Sequence, residues 1–133
     1  MMCALSGDVA SRWALAEEFL SDARALLQEG RLRSAMSRAY YAAYHACICA
    51  MEWLGYRPEH FRGRDGLPAD RWDHRLVRTE FHRIFVLTRH VIPWRLGVGV
   101  RMLWRMRVEA DYDPAATVPN ERAEEAVSLA SEF

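Results

Sequence analysis

The chain has 133 residues, of which 51% are hydrophobic and 27% are charged, and its formal net charge at pH 7 is zero. A chain of this length is predicted to form a single domain over residues 1–133 that needs no disulfide or structural metal to fold. All 18 basic residues are arginine, which excludes lysine-based Schiff-base and P-loop chemistry. The balanced charge gives no sign of a general attraction to nucleic acid or membranes.

Two helices are predicted in the N-terminal half. Gly30 is placed to end the first helix. The second runs from about Arg31 to Leu54 and stops at Gly55; it is apolar nearly all round, which predicts a central position and a two-fold dimer formed by central helices. The first helix is predicted from six residues that recur at alternating spacings of four and three: Val9, Trp13, Ala16, Leu20, Ala23 and Leu27.

A long loop and a third helix follow. Residues 56–72 hold two prolines and two glycines among charged residues, which predicts a loop, and its length suggests a functional or flexible segment. Asp73 is a candidate N-cap for the third helix, which Pro93 then interrupts. The predicted buried side of this helix consists of Leu76, Val77, Phe81, Ile84, Phe85 and Thr88.

Two more helices complete an all-α fold, an antiparallel bundle of about five helices. The fourth runs from about Arg95 to Ala110, and no segment shows the alternation of a strand. A last helix starts at Thr117 or Asn120. The fourth helix carries Val98, Met102, Leu103, Met106 and Ala110, and the last one points Ala123, Ala126, Val127 and Ala130 inward.

The cysteines and the N-terminus indicate a cytoplasmic protein. Cys47 and Cys49 lie about 200° apart around a helix, which makes a poor metal clasp. Together with Cys3 they are odd in number, so buried reduced thiols are expected, and no metal or cofactor is predicted. No signal peptide is recognised, and the apolar stretch from Ala39 to Leu54 is too short to span a membrane.

Charge is unevenly distributed along the chain. Residues 57–107 hold 12 arginines and 5 acids, a net of +7, whereas residues 108–133 have a net of −6 and residues 1–56 a net of −1. Two interpretations remain open: the acidic tail neutralises the basic helices internally, or the basic stretch faces an anionic partner.

A polar stripe crosses the otherwise apolar second helix. Arg38, Tyr41 and His45 follow one another at spacings of three and four residues and share one helix face. Because polar groups on a buried helix need partners, we expect this stripe to meet Arg107 and Asp111, with an Asp111–Arg38 ion pair. Such a convergence is either a structural network or the wall of a cleft that binds phosphate or a nucleotide.

The segment Arg31-Leu-Arg-Ser-Ala-Met-Ser-Arg-Ala-Tyr-Tyr-Ala-Ala-Tyr-His-Ala46 resembles the second-helix signature of small prokaryotic HEPN-domain proteins. His74, which opens the third helix, and the element Arg107-Val-Glu-Ala-Asp-Tyr-Asp113 fit the same family. The order and spacing of these elements cover roughly residues 9–133.

The resemblance implies an all-α homodimer, encoded in many members beside a minimal nucleotidyltransferase with which it forms a toxin–antitoxin pair. Other members are metal-independent ribonucleases, in which an Arg-x(4–6)-His motif stabilises the scissile phosphate and assists proton transfer. Here Tyr112 stands where that histidine would follow Arg107, and an ordinary tyrosine is a poor general base near neutrality. Arg38 and His45 also fit the spacing, although chance alone supplies about two such matches in this chain.

These observations give a candidate site and two hypotheses of function. The first is the HEPN half of a nucleotidyltransferase pair or a related defence system, which binds RNA or a nucleotide. The alternative is a non-enzymatic adaptor or scaffold that acts through dimerisation. The predicted catalytic residues are Arg107, Tyr112 and His45, and the predicted ligand-binding residues are Arg38, Tyr41, His74, Arg101, Arg105 and Asp111.

Overall fold

The computed structural model describes residues 7–90, 94–112 and 120–132. In this part of the chain five α-helices are connected as α1 (Gly7–Gln28), α2 (Leu32–Trp53), α3 (His74–Phe81), α4 (Trp94–Tyr112) and α5 (Asn120–Ser131). Among the described residues no β-strand is found, and one isolated antiparallel bridge joins Arg62 to Pro68. The all-α prediction is confirmed. Cys3 and Pro93 lie outside the described residues.

Two glycines end the first two helices, as the sequence predicts. Gly30 has φ +75° after α1, and the backbone N–H of Arg31 donates to the carbonyl of Leu26 at 2.9 Å. Gly55 has φ +91° after α2, and the N–H of Tyr56 donates to the carbonyl of Met51 at 3.0 Å. A left-handed residue of this kind lets the chain turn while the last carbonyls of the helix keep their hydrogen bonds.

Helix α2 is the centre of the bundle. It packs against α1, α3, α4 and α5. Half of its 22 residues are buried within this one chain, including Tyr40, Cys47 and Met51. The prediction of a central helix is confirmed, but its apolar surface is covered by the chain itself. The prediction of a dimer therefore has to rest on other surfaces.

The first helix presents the predicted stripe with one exception. Val9, Ala16 and Ala23 are buried, and Leu20 and Leu27 pack against the core. Trp13 was expected on the buried side but is 43% exposed. It lines a shallow groove with Ala42 and Ala46 of α2, where small side chains leave its indole uncovered.

The segment between α2 and α3 is a loop, as predicted, and it has internal order. A 3₁₀ turn covers Pro58–His60. Beyond it the N–H of Ala69 donates to the carbonyl of Phe61 at 2.9 Å, and the N–H of Gly63 donates to the carbonyl of Leu67 at 2.7 Å. Phe61 and Ala69 are buried and anchor this hairpin to the core.

The third helix starts where the sequence predicts but changes its geometry halfway. The N–H of Leu76 donates to the Asp73 carboxylate at 2.7 Å, which confirms the N-cap. The predicted Leu76, Val77, Phe81, Ile84 and Phe85 are all buried.

After Phe81 the chain continues as a π-helix over His82–Thr88. Because a π-helix has more residues per turn than an α-helix, the buried face shifts. Val86 is therefore buried and Thr88 is exposed, so the prediction for Thr88 is wrong.

The last two helices confirm most of the predicted inward positions. Leu103 and Met106 of α4 are buried, but Met102 is 40% exposed, so its prediction is wrong: it lies 100° from Leu103 and off the buried face. The described part of the last helix begins at Asn120, one of its two predicted starts, and Thr117 lies outside the described residues. The four predicted residues of this helix, Ala123, Ala126, Val127 and Ala130, are buried. The side chains of Val98 and Ala110 lie outside those described.

Close approach of α4 and α5 depends on Gly99. A Cβ atom at that position would lie 3.1 Å from Leu129 Cδ1.

Of the helices that the structure describes, none is both long and apolar enough to cross a membrane. The thiols of Cys47 and Cys49 are unpaired and buried, in agreement with the expectation of reduced cysteines.

Candidate functional site

Arginine and aromatic side chains from three helices gather on one side of α2. We call this group the arginine–aromatic cluster. It consists of Tyr40, Tyr41 and Tyr44 of α2, His74 and Arg78 of α3, and Trp104 and Arg107 of α4.

Local sequence signals bring the members of the cluster together. The Asp73 cap fixes the start of α3, so that His74 is its first residue and packs against α2. Arg78 follows one turn later, and its Nε donates to the carbonyl oxygen of His74 at 3.1 Å. Trp104 and Arg107 are three residues apart on α4 and therefore neighbours on its surface.

His74 is the centre of the cluster. Its ring centroid lies 4.7 Å from those of Tyr44 and Trp104, and 5.5 Å from that of Tyr40. The hydroxyl of Tyr40 and Nδ1 of His74 are 2.6 Å apart.

We assign the tautomer of His74 from this contact and from the protonation of Tyr40. Burial raises the pKa of Tyr40, so its phenol stays protonated, and no other acceptor for it is found among the described groups. The phenol therefore donates to Nδ1, and the proton of the neutral His74 ring is on Nε2. Nε2 is then available to donate a hydrogen bond.

Arg107 contacts two rings of the cluster. Its Nη2 donates to the hydroxyl of Tyr41 at 3.0 Å. Its Cζ lies 5.3 Å from the ring centre of Tyr41 and 5.5 Å from that of Trp104. The Cζ of Arg78 is 4.6 Å from the centre of the same indole. All four side chains are only half-buried, so charged and aromatic groups reach the surface together, which is a combination suited to nucleotides.

The cluster has a positive electrostatic character. Burial, followed by the guanidinium groups of Arg107 and Arg78, lowers the pKa of His74, against the opposing effect of Asp73. The Asp73 carboxylate is already bonded to the N–H of Leu76. An anionic ligand would therefore be attracted to this surface.

His45 packs against α1. Its ring stacks on Phe19 of α1 with centroids 5.5 Å apart, and Arg12 Nη1 is 3.2 Å from its Nδ1. Arg12 Nε is also 2.7 Å from Glu52 Oε1. Burial, then the charge of Arg12, lowers the pKa of His45 to about 4. A base this weak is poorly suited to accept a proton near neutrality.

The polar stripe of α2 has a partner that the sequence analysis did not name. Arg38, Tyr41 and His45 do share one face, and all three contact Phe19: the Arg38 Cζ lies 5.2 Å from its ring centre, and the Tyr41 centroid is 5.8 Å away. Arg38 is exposed. Among the residues that were predicted to converge, Tyr41 and Arg107 are in contact.

The remaining predicted residues lie on α4. Arg101 and Arg105 are exposed on its surface. The side chains of Asp111 and Tyr112 lie outside those described, and so does the predicted Asp111–Arg38 ion pair. In the part of the chain that is described, no three His, Cys, Asp or Glu side chains gather where a metal ion could be held.

Sequence reasoning missed several members of the site. Tyr40 and Tyr44 stand in the quoted Arg-Ala-Tyr-Tyr-Ala-Ala-Tyr run, yet only Tyr41 lies on the stripe that was followed. Arg78 could have been found, because it is one helical turn after His74. Arg12 gave no signal, since it lies beside the apolar stripe of α1 like any surface charge.

Acidification is expected to destabilise the fold through His45. Its pKa of about 4 in the folded protein is below the ordinary 6.5 of an unfolded chain. The contribution of neutral His45 is therefore complete above pH 6.5 and is lost as the pH falls toward 4, because the unfolded state binds the proton first. We expect a loss of about 1 kcal/mol between pH 6.5 and about pH 5.

Urea unfolding across that pH range measures this effect. His45→Gln removes the titrating ring and is expected to show a flatter pH dependence, with His74 still contributing in both proteins. The same slope in the wild type and the variant would contradict the assignment to His45.

The described fold and cluster define an all-helical domain whose central helix contributes tyrosines to an arginine-rich, half-exposed surface. Comparison with known families agrees with this class. Residues 10–63, which cover most of α1, all of α2 and the start of the loop, match the HEPN domain. This match agrees with the resemblance of the second helix to HEPN-domain proteins. No curated protein matches the chain significantly.

Proposed function

We propose that the chain is the toxin-like, RNA- or nucleotide-binding half of a HEPN/minimal-nucleotidyltransferase pair or a related defence system, and that the arginine–aromatic cluster is its binding surface. The observation that carries the proposal is the joint position of Arg107 and Arg78 around the Trp104 indole, beside His74. Guanidinium groups bind phosphate oxygens, and exposed ring faces stack on unpaired bases.

Each group has a role in such a complex. Arg107, whose Nη2 donates to the Tyr41 hydroxyl, would bring its positive charge to a phosphate. Trp104 and Tyr41 offer rings to a base. His74 donates from Nε2, since the Tyr40 phenol occupies Nδ1. This tautomer makes His74 a hydrogen-bond donor to a phosphate oxygen rather than a base, so the geometry supports binding more directly than ribonuclease cleavage.

Domain extent, assembly and location belong to the same proposal. We infer that the HEPN domain extends over residues 1–133, because α3, α4 and α5 pack on the helix that the family match contains. The homodimer stays a prediction, which light scattering against the chain mass of 15.4 kDa would test. Two buried thiols fit a reducing compartment, for which we propose the cytoplasm.

An adaptor function is the second candidate. The exposed indoles of Trp13 and Trp53, 43% and 60% accessible, favour it because large exposed aromatic side chains are typical of protein contact surfaces. In that case Arg107 and Tyr41 would hold α2 to α4 and bind no ligand.

Binding of single-stranded RNA separates the two candidates. We expect salt-sensitive affinity, in which the logarithm of the binding constant falls linearly with the logarithm of the salt concentration by about 0.7 for each phosphate contacted. Replacing both Arg101 and Arg105 with alanine should weaken binding and flatten the slope. Fluorescence anisotropy with a labelled oligonucleotide measures both effects. Absence of RNA and nucleotide affinity in low salt would favour the adaptor.

A further inference from the structure

An apolar groove lies where α1, α2 and α5 meet, and it shares no residue with the arginine–aromatic cluster. Trp13 stands in this groove with 43% of its surface exposed, whereas indoles are on average highly buried in folded proteins. The apolar lining consists of Trp13, Ala16 and Leu20 of α1, Ala42 and Ala46 of α2, and Ala130 of α5. An exposed indole above a floor of small side chains leaves room for side chains from another molecule.

Carboxylates line the same groove. They belong to Glu17 of α1 and to Glu132, which follows α5, and none of the described lining residues is basic. Glu17 is exposed, and no ion pair of its carboxylate is found among the described residues. The groove is therefore apolar with a negative edge, which is complementary to a partner that carries positive charge beside apolar side chains.

The same combination of groups continues between α4 and α5. Met102 and Leu129 form a second hollow there, which Glu125 and again Glu132 line, and its described lining also lacks a basic residue. Met102 is 40% exposed. Because Glu132 lines both hollows, they adjoin at the end of α5. We call the groove and this hollow together the α5 surface.

Three kinds of occupant do not suit the α5 surface. The groove has a volume of about 230 Å³, which is below the range of about 300–1,000 Å³ that is usual for pockets enclosing small molecules. Its carboxylates repel the phosphates of a nucleic acid. A second copy of the chain on a two-fold axis would bring Glu17 and Glu132 toward the same carboxylates of that copy.

We propose that the α5 surface docks a basic amphipathic helix of a partner protein. Its apolar stripe would fill the groove beside Trp13, and its lysine or arginine side chains would pair with Glu17, Glu125 and Glu132. A groove between helices accepts such a helix through apolar residues spaced three and four apart, and tryptophan is among the commonest anchors of protein contacts. This inference goes beyond the proposed function and does not depend on RNA binding, because the two surfaces share no residue.

Two labelled peptides test the proposal by fluorescence anisotropy with the full-length protein. Both are amphipathic helices of about 16 residues with the same leucine stripe, one with lysines beside the stripe and the other with glutamates there. We expect the wild type to bind the lysine peptide at least about tenfold more tightly in low salt, and the preference to shrink as salt is added. Equal affinity for the two peptides, or no affinity for the lysine peptide, would overturn the proposal.

Two variants locate the contact. Trp13→Ala removes the exposed anchor and is expected to weaken binding of the lysine peptide about tenfold or more. Glu17→Arg reverses one charge at the edge of the groove and is expected to reduce the preference for the lysine peptide at least about threefold. Both side chains are exposed, so neither change removes a buried contact of the core.

Trp53→Ala is the matched control, because this indole is 60% exposed and lines neither hollow. We expect it to change peptide affinity less than about twofold. Equal losses in Trp13→Ala and Trp53→Ala would overturn the assignment to the α5 surface. Trp13→Ala is also expected to leave RNA affinity unchanged, and an equal loss of RNA and peptide binding would overturn a separate docking surface. A wild type that binds the lysine peptide but no RNA would overturn RNA binding at the cluster and support this inference.

Discussion

Arg107→Ala is expected to lower the affinity for single-stranded RNA by about 10- to 100-fold, which corresponds to about 1.4–2.8 kcal/mol. The guanidinium group of Arg107 contacts the Tyr41 hydroxyl and the Trp104 ring at the surface of the cluster. Its removal takes away a charged partner for the phosphate and loosens the two rings that would hold a base.

The stability of the same variant distinguishes a binding site from a structural network. Arg107 is half-buried, and its contacts include a hydrogen bond to a phenol and contacts with two rings. Their loss is expected to lower the free energy of unfolding by about 1–2 kcal/mol. Breaking a buried ion pair would lower it by about 3–5 kcal/mol instead.

Anisotropy and urea unfolding on one protein preparation give both quantities. Arg24→Ala is the control, because it removes the same charge from an exposed position on α1. A loss of more than about 3 kcal/mol of stability, or unchanged RNA affinity, would assign Arg107 to the scaffold rather than to the site.

The predictions that succeeded depend on local signals. Gly30, Gly55 and Asp73 mark helix ends through the φ angle or the side-chain oxygen that each end requires, and neighbouring residues suffice to recognise them. The inward residues of α5 follow from spacing alone. These signals position four of the five helices without any knowledge of how they pack.

The predictions of burial that were wrong concern residues whose exposure depends on helix geometry and on the neighbouring helices. Thr88 was placed inside by α-helical spacing, but the π-helix after Phe81 rotates the face. Trp13 lies on the correct stripe and still reaches solvent, because the opposing residues Ala42 and Ala46 are small. Such effects depend on the partner surface, which helical spacing does not describe.

The predictions for the candidate site were also correct for some residues and wrong for others. The argument that a polar stripe on a buried helix must find partners predicted that Tyr41 and Arg107 would meet, and the structure brings them together. The same argument sought partners for Arg38 and His45 on α4, whereas Phe19 and Arg12 of α1 lie against them. Sequence shows that a polar group needs a partner, but the packing of α1 on α2 determines which partner it finds.

Tyr40→Phe is expected to lower the free energy of unfolding by about 1–3 kcal/mol, although it removes a single oxygen atom. Tyr40 is fully buried, and its hydroxyl is 2.6 Å from Nδ1 of His74. Without that donor, Nδ1 is left in a partly buried position where it loses its hydrogen bond. The ring can then adopt the other tautomer, so RNA affinity should also fall if Nε2 donates to the ligand.

Tyr44→Phe is the matched control for this prediction. Tyr44 is buried in the same cluster and its ring also contacts His74, but no hydrogen bond of its hydroxyl is found among the described groups. We expect the control to change stability by less than about 0.5 kcal/mol, because nothing is left unpaired. A double-mutant cycle of Tyr40→Phe with His74→Gln should show coupling of about 1 kcal/mol or more. Additive effects, or equal losses in Tyr40→Phe and Tyr44→Phe, would mean that the phenol does not set the state of His74.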